Sequence, residues 1–262
     1  LQLRALGAGA SWKNLTFTRD EKVIKTVYET FKKLWDDGLI YRGERIVNYS
    51  TKYQTSYSDI EVNYKQEKGT LWQIAYPLID QVGEIVVATT RPETMLGDVA
   101  IAVNPTDERY KHLIGTKAHL PIVDREIPII ADDYVDKNYG TGAVKITPAH
   151  DPNDFEIGKR HNLKPIQVIG FDGTMINVPQ HYMGLDIETA RKRVLTDLEI
   201  AELRRGESEI EHTVGYDYKS GLPNQPMIKE KWFIKVKTQA NLAIEILERG
   251  EINITPQQNR SV

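Results

Sequence analysis

The chain has 262 residues, carries 34 Lys and Arg against 37 Asp and Glu, and contains no cysteine. The lack of cysteine excludes a disulfide framework, thiolate metal ligands and a cysteine nucleophile. A composition of 40% hydrophobic and 27% charged residues is typical of a globular protein and excludes a disordered chain. The formal net charge of −3 excludes a domain that holds nucleic acid by its overall charge alone.

The sequence gives no sign of membrane insertion or secretion. No apolar run reaches the roughly 18 residues that a membrane span requires. The first ten residues lack the layout of a signal peptide, and the chain begins with Leu1 rather than Met. We therefore expect a piece of a longer cytoplasmic protein with no membrane partner, and we expect this piece to be monomeric.

Apolar residues at helical spacing predict helices over residues 20–37, 186–203 and 238–249, with a shorter one at 151–161. Between them the pattern changes to short β-rich runs separated by Pro, Gly and Asp. The runs predicted as strands are 60–64, 70–76, 84–90, 100–103, 127–131, 143–147 and 166–170.

This order of elements predicts an α+β protein whose β-rich middle is a small barrel or curled sheet with peripheral helices. The expected parts are a flanking segment 1–58 with a helix and a linker from 41, a central domain 59–212, and an exit segment with a helix, 213–262. Strands in the middle and longer helices at both ends indicate a module inserted into a parent protein. A single α+β domain is the alternative.

The first segment with chemical potential is 88–98, where an apolar strand ends in hydroxyl groups, an arginine and a proline. Small donor–acceptor hydroxyls at a strand end are suited to a small polar ligand. Alternatively, Thr90 and Glu93 form a capping box at the start of a helix. The candidate ligand-binding residues here are Thr89, Thr90, Arg91 and Thr94.

The second segment, 140–155, runs from two glycines through a strand into a helix start. Lys145 and Thr147 are two residues apart, so in a strand they lie on the same face. Asp151 and Asp154 are three apart and share one side of the first helical turn. A lysine, a threonine and two carboxylates therefore converge; the alternative is a helix cap with solvated acids.

Together, 89–94 (Thr-Thr-Arg-Pro-Glu-Thr) and 140–151 (Gly-Thr-Gly-Ala-Val, then Pro-Ala-His-Asp) resemble the two signature regions of the editing insertion of class I aminoacyl-tRNA synthetases for branched aliphatic amino acids. The continuation to Phe155 is similar to the valyl type. The leucyl type differs after the second glycine, and the isoleucyl type lacks the arginine. Residues 48–62 and 230–235 resemble the two ends of the insertion.

Two departures from the family pattern affect what the resemblance implies. Ser50 and Tyr53 stand where relatives often carry a cysteine pair, so no zinc knuckle is expected there. Tyr139 stands where relatives commonly have phenylalanine, which keeps an aromatic face. The His-x-Gly-His and Lys-Met-Ser-Lys-Ser elements of the family do not occur in the chain, so we expect no amino-acid activation by it.

The resemblance implies an aminoacyl-tRNA ester hydrolase that removes threonine from tRNA(Val), with no cofactor or metal. Its partners would be the tRNA 3′ end carrying threonine and the rest of the synthetase. Among the catalytic candidates, Asp154 would bind the α-ammonium group and Lys145 would stabilise developing negative charge; Thr147 completes the set.

Substrate contact is implied for a wider group. Tyr139 would stack on the terminal adenine, and the threonines, Arg91 and Asp151 would surround the side-chain hydroxyl of the substrate. For His150 the interpretation stays open between a general base and a structural cap. Two other functions also stay open: a non-catalytic tRNA-binding module, and leucyl- or isoleucyl-type editing.

Overall fold

Helices and strands both contribute to the structure, a computed structural model that describes residues 2–261, and the predicted α+β class is confirmed. The helices are α1 Gln2–Ala5, α2 Glu21–Asp36, α3 Pro152–Arg160, α4 Ile187–Ile200 and α5 Lys237–Glu248. The strands are β1 Ile40–Ser50, β2 Thr55–Tyr57, β3 Val62–Pro77, β4 Glu84–Thr89, β5 Ala100–Val103, β6 Lys117–Leu120, β7 Arg125–Ala131, β8 Ala143–Ile146, β9 Arg204–Asp217 and β10 Gln225–Ile234.

The described residues fall into two compact units. One comes from Leu1–Gly43 together with Glu230–Val262, and the other is Glu44–Lys229. In the first unit, the α2 rings of Phe31 and Trp35 meet Trp232 edge to face, with centroid distances of 5.8 and 5.7 Å. The second unit contains both chemical segments. The domain limits expected at 59 and 212 remain predictions.

The strands form three open sheets, with orders β10-β1-β2, β4-β3-β9 and β6-β7-β5-β8. β5 runs parallel to β7 and antiparallel to β8, and β3 runs antiparallel to both β4 and β9. Within residues 2–261 the β-rich middle therefore consists of open sheets and not of a closed barrel.

Several strands differ from the prediction because their partners are remote in sequence. The two runs predicted at 60–64 and 70–76 are one long strand, β3, which pairs with β9 along nearly its whole length. β9 is half-buried to exposed along nearly its whole length and carries three glutamates, so its sequence contains no continuous apolar run that would indicate a strand. Residues 41–58, expected to form a linker, contain most of β1 and all of β2.

The prediction also missed two strands and included one run that is not a strand. β6 and β10 were not predicted, and the run at 166–170 contributes only an isolated bridge between Ile169 and Met175. By contrast, the four longer helices and strands β4, β5, β7 and β8 lie where the sequence placed them, with ends that differ by at most three residues.

The core of the second unit determines where the chemical segments lie. Ile74 of β3, Val87 of β4, Ile101 of β5 and Ile129 of β7 are buried in one cluster. Val194 of α4 belongs to the same cluster, as its helical spacing predicts. Because β4 and β5 enter this core on either side of the 3-10 turn Pro92–Gly97, that turn is itself fully buried. No helix among the described residues is long and apolar enough to cross a membrane.

Candidate active site

The two chemical segments line one cleft of about 180 Å³ in the second unit. β8 pairs with β5 so that Lys145 lies opposite Ile101, and β5 directly follows the turn Pro92–Gly97. This pairing brings the segments together although about 50 residues separate them. All ten predicted site residues line the cleft: Thr89, Thr90, Arg91, Thr94, Tyr139, Lys145, Thr147, His150, Asp151 and Asp154. Its remaining lining is apolar: Leu71, Ala88 and Val144.

A buried ion pair lies at the base of the cleft. Lys145 Nζ donates to Asp98 Oδ1 at 3.2 Å, and the side chains are only 8% and 0% exposed. Thr147 Oγ1 donates to the same carboxylate oxygen at 2.5 Å, and Tyr76 OH donates to Oδ2 at 2.7 Å. Burial raises the pKa of Asp98, while Lys145 and the hydrogen bonds act to lower it. Replacement of either Lys145 or Asp98 by a neutral residue would leave the charge of the other uncompensated in the core.

The ammonium group of Lys145 has three donors, and each has a partner in the protein. Besides Asp98, Nζ donates to Thr94 Oγ1 at 3.0 Å and to Thr147 Oγ1 at 2.5 Å. Contact between Lys145 and a substrate oxygen therefore requires the exchange of one of these hydrogen bonds.

Asp98 was not among the site residues predicted from the sequence. Its signal was a carboxylate inside an apolar run, with Leu96 and Gly97 before it and Val99 and Ala100 after it. A buried acid requires a partner, and that partner is the lysine of the other segment.

Asp154 is buried at 7% exposure and lines the cleft, so it is not the solvated acid of the alternative interpretation. Its Oδ2 accepts a hydrogen bond from the backbone N–H of Thr147 at 2.8 Å. Burial, and then the charge of Asp151, raises the pKa of Asp154 to about 7. The carboxyl group is therefore poised to gain a cationic partner, because ionisation without one is unfavourable.

Asp151 caps α3. Its Oδ1 accepts from the backbone N–H groups of Asn153 and Asp154 at 2.8 and 3.1 Å, and Pro152 occupies the first helical position. The alternative interpretation of this segment, a helix cap with solvated acids, is thus confirmed as far as Asp151 caps the helix. The cap also orients Asp154, since the side chain leaves the first turn of the helix that Asp151 fixes.

The guanidinium group of Arg91 joins three parts of the second unit. Nε donates to Glu93 at 3.2 Å, Nη1 to the carbonyl of His150 at 3.2 Å, and Nη2 to Gln225 Oε1 at 2.7 Å. Arg91 therefore holds the first segment against the second, whatever contact it makes with a ligand. Gln225, on β10, was not among the predicted residues.

Glu93 is fully buried and also pairs with Arg191 of α4, whose Nε and Nη2 donate to it at 2.8 and 3.0 Å. Burial alone raises its pKa, but the Arg191 hydrogen bond and the charges of Arg91 and Arg191 bring the pKa below its ordinary value. The capping-box interpretation was wrong, because the 3-10 turn has Arg91 at its N-cap and no side-chain cap.

His150 is buried at 2% exposure, and its Nε2 accepts from the backbone N–H groups of Val168 and Ile169 at 2.9 and 3.3 Å. Burial, with the charge of Arg91, lowers its pKa to about 3. The Nε2 lone pair is thus occupied and cannot accept a proton from water in this arrangement. Nδ1 is buried without a hydrogen bond of normal geometry, although an interaction with the Pro226 backbone acts to raise the pKa. The geometry favours a structural role.

Tyr139 lies at the mouth of the cleft with 55% of its surface exposed. Thr89 Oγ1 accepts from the backbone N–H of Arg91 at 3.0 Å, which turns the chain at the end of β4. Among the described residues, no group of three or more His, Asp or Glu side chains is arranged to hold a metal ion. The cleft thus combines a deep buried ion pair, an acid and an exposed aromatic ring.

Comparison with known proteins identifies the family. The family model described as "tRNA synthetases class I (I, L, M and V)" matches residues 1–262. The chain belongs to the class I tRNA synthetases. Similar class I synthetases include the valine–tRNA ligases of Geobacillus stearothermophilus, Bacillus subtilis and Clostridium tetani, at 51%, 49% and 48% identity.

These alignments cover 98%, 97% and 98% of this chain but only 29% of each relative. The chain thus spans less than a third of the length of the synthetases it matches. The family that the two motifs indicated is confirmed.

Proposed function

We propose that this chain is the editing part of a valyl-tRNA synthetase and hydrolyses the ester bond of threonyl-tRNA(Val). The observation that carries the proposal is the single cleft in which both signature segments meet around buried polar groups. Similarity to proteins named valine–tRNA ligase supports the valyl type. The tRNA 3′ end and the remaining parts of the synthetase would be its partners in the cytoplasm, and the chain itself would be monomeric.

The need for such a site follows from the shapes of valine and threonine. An apolar activation pocket cannot strongly reject an isostere that merely adds a hydroxyl, and the valyl enzyme facing threonine is the standard example. A second site must therefore select for the hydroxyl. The cleft offers Thr90, Thr94 and Asp151 as polar lining. If valine entered, such groups would lose their partner, at a cost of about 1–3 kcal/mol for each buried one.

Asp154 is the proposed partner of the substrate α-ammonium group. Within the described residues, Oδ2 of Asp154 accepts a hydrogen bond from Thr147, and Oδ1 accepts none. Oδ1 is left for a ligand in the cleft. Because the pKa of Asp154 is raised to about 7 by burial, an approaching ammonium group stabilises the ionised form. The acid then fixes the position of the ester carbonyl relative to Lys145.

Lys145 is the proposed stabiliser of the negative charge that develops on the ester oxygen. Its bond to Thr94 is the one we expect to be exchanged for the substrate, since the Asp98 and Thr147 bonds belong to the buried network. Thr147 would keep the ammonium group aimed into the cleft during this exchange. A water molecule, oriented by the bound ester, would be the nucleophile.

The test uses the chain itself with threonyl-tRNA(Val) and valyl-tRNA(Val) as substrates, and measures release of each amino acid. We expect rapid release of threonine and little release of valine. Equal release of the two, or release of neither, contradicts the proposal. An Asp154→Ala variant should lose deacylation, and an Asp133→Ala variant, which changes an exposed acid, should keep it.

Two outcomes would favour the alternatives. Binding of tRNA that Asp154→Ala leaves unchanged, without hydrolysis of any aminoacyl ester, would indicate a non-catalytic tRNA-binding module. Preferred release of norvaline or valine over threonine would indicate leucyl- or isoleucyl-type editing.

A further inference from the structure

The loop that carries Tyr139 is held by side chains from a neighbouring segment. This rim loop, residues 132–142, joins β7 to β8. β5 lies between these strands in the sheet and runs parallel to β7. The rim loop therefore crosses the end of β5, and the segment that leaves β5, residues 104–110, lies against it.

Three side chains of that segment each donate to a backbone carbonyl of the rim loop. Asn104 Nδ2 donates to the Val135 carbonyl at 2.8 Å, Arg109 Nη2 to that of Lys137 at 2.6 Å, and Tyr110 OH to that of Thr141 at 2.9 Å. We call these three donors, Asn104, Arg109 and Tyr110, the cradle. Their acceptors lie on both sides of Tyr139.

The cradle is itself fixed. Arg109 Nε and Nη2 donate to Asp107 at 2.9 and 2.6 Å, and Asp107 is buried. The guanidinium carbon of Arg109 lies 5.2 Å from the centre of the Tyr110 ring. Gly142 has φ +80°, and a Cβ there would overlap the Arg109 guanidinium and lie in tight contact with the Lys137 carbonyl. Loop and cradle are thus in close contact.

We propose that the cradle residues are positioning residues, which hold the rim loop so that Tyr139 presents its ring to a base at the mouth of the cleft. The ligand class is the 3′-terminal nucleoside of an aminoacyl ester, and this part of the inference rests on the proposed function. Stacking on a half-exposed ring requires a defined ring position, because an unordered loop loses entropy when the base binds. Three bonds to carbonyls supply that order before binding.

The test measures binding of a stable probe, adenosine that carries threonine through an amide at its 3′ position. Tyr139→Ala should weaken binding about tenfold, within the range of a base–aromatic stack. Tyr110→Phe removes one hydroxyl and Arg109→Lys removes the guanidinium fork, and each should weaken binding about three- to tenfold. Tyr64→Phe, which removes an exposed hydroxyl on β3, is the matched control and should bind as the unmodified chain does.

A double-variant comparison separates positioning from general stability. In a Tyr139→Ala background, Tyr110→Phe should have no further effect on binding, because the ring it positions is gone. On threonyl-tRNA, both cradle variants should raise KM and leave kcat within about twofold. Equal loss with and without the Tyr139 ring, no loss in either cradle variant, or failure of the unmodified chain to bind the probe would overturn the proposal.

Failure of the cradle and failure of the proposed editing function give different results. If the chain hydrolyses threonyl-tRNA but the cradle variants bind and react as it does, the cradle alone is refuted. If the chain hydrolyses no ester but the cradle variants lose probe binding as predicted, editing is refuted and the cradle stands.

Discussion

Replacement of Asp154 by asparagine should remove deacylation and, at alkaline pH, make the protein more stable. Asparagine keeps an oxygen acceptor for the backbone N–H of Thr147, which now bonds to Asp154 Oδ2 at 2.8 Å. It cannot form an ion pair with an ammonium group. It also removes the need to ionise a buried acid whose pKa burial raises to about 7.

The magnitude follows from the difference in pKa between folded and unfolded chains. The ordinary pKa of an aspartate is 3.8, so the folded state raises it by about 3 units. Below pH 3.8 the group is neutral in both states and imposes no penalty. Between pH 3.8 and 7 the unfolded chain is ionised while the folded chain still holds the proton, so the folded state loses stability across this range, and the loss levels off above pH 7. At about 1.4 kcal/mol per unit, the penalty approaches about 4 kcal/mol at pH 8 and is less than half of that at pH 5.

The assay is urea-induced unfolding of the unmodified chain and of Asp154→Asn at pH 5, 6, 7 and 8. The quantity to compare is the difference in free energy of unfolding between the two proteins, because other titrating groups are common to both. We expect this difference to grow in favour of Asp154→Asn by about 2 to 3 kcal/mol between pH 5 and pH 8. Asp133→Asn, an exposed acid in the rim loop, should show no such growth.

A difference that stays constant or shrinks as the pH rises would refute the reasoning, since it would mean that Asp154 is not a buried acid with a raised pKa. Threonyl-tRNA hydrolysis retained by Asp154→Asn would refute its role as the ammonium partner. The two results are independent of each other, so stability and function can be judged separately.

Three further predictions concern buried titratable groups of the site. Asp98→Asn should lower the free energy of unfolding by about 3 kcal/mol in urea titrations, because it leaves Lys145 charged and buried, and adding Lys145→Met should recover part of that loss. Glu93→Gln should lower stability by about 2 kcal/mol at pH 7, and an unchanged urea midpoint would contradict the paired-arginine geometry. Burial lowers the pKa of His150 to about 3, so protonation of the unfolded state costs stability as the pH falls below 6.5. The difference between His150→Gln and the unmodified chain should therefore shift in favour of the variant toward pH 5, as measured by urea unfolding.

Local patterns were enough for those elements whose sequence carries its own signal. Helical periodicity predicted α4, and the caps and apolar runs predicted β4, β5 and α3. They were not enough for strands whose partners are remote. β9 is a half-buried, charge-rich strand without a continuous apolar run, and β1 belongs to a sheet whose strand β10 lies far along the chain. No local signal distinguishes such segments from loops or linkers.

For the site, the two motifs establish which chemical groups are present. The hydroxyls near Arg91 and the lysine and acids between 145 and 154 are motifs whose residue types and spacing are readable without coordinates. All ten predicted residues line the cleft, because each motif lies within a few residues of a strand end and β5–β8 pairing joins the two ends.

Folding sets the partners and the protonation state of each group. It paired Lys145 with Asp98, turned the Nε2 of His150 toward two backbone donors, and buried Asp154 beside Asp151. Burial and partner choice depend on what other parts of the chain bring to the same point in space. The charge, the pKa and the remaining hydrogen-bonding capacity of a side chain depend on the residues that surround it in the fold. A local stretch of sequence does not contain those residues.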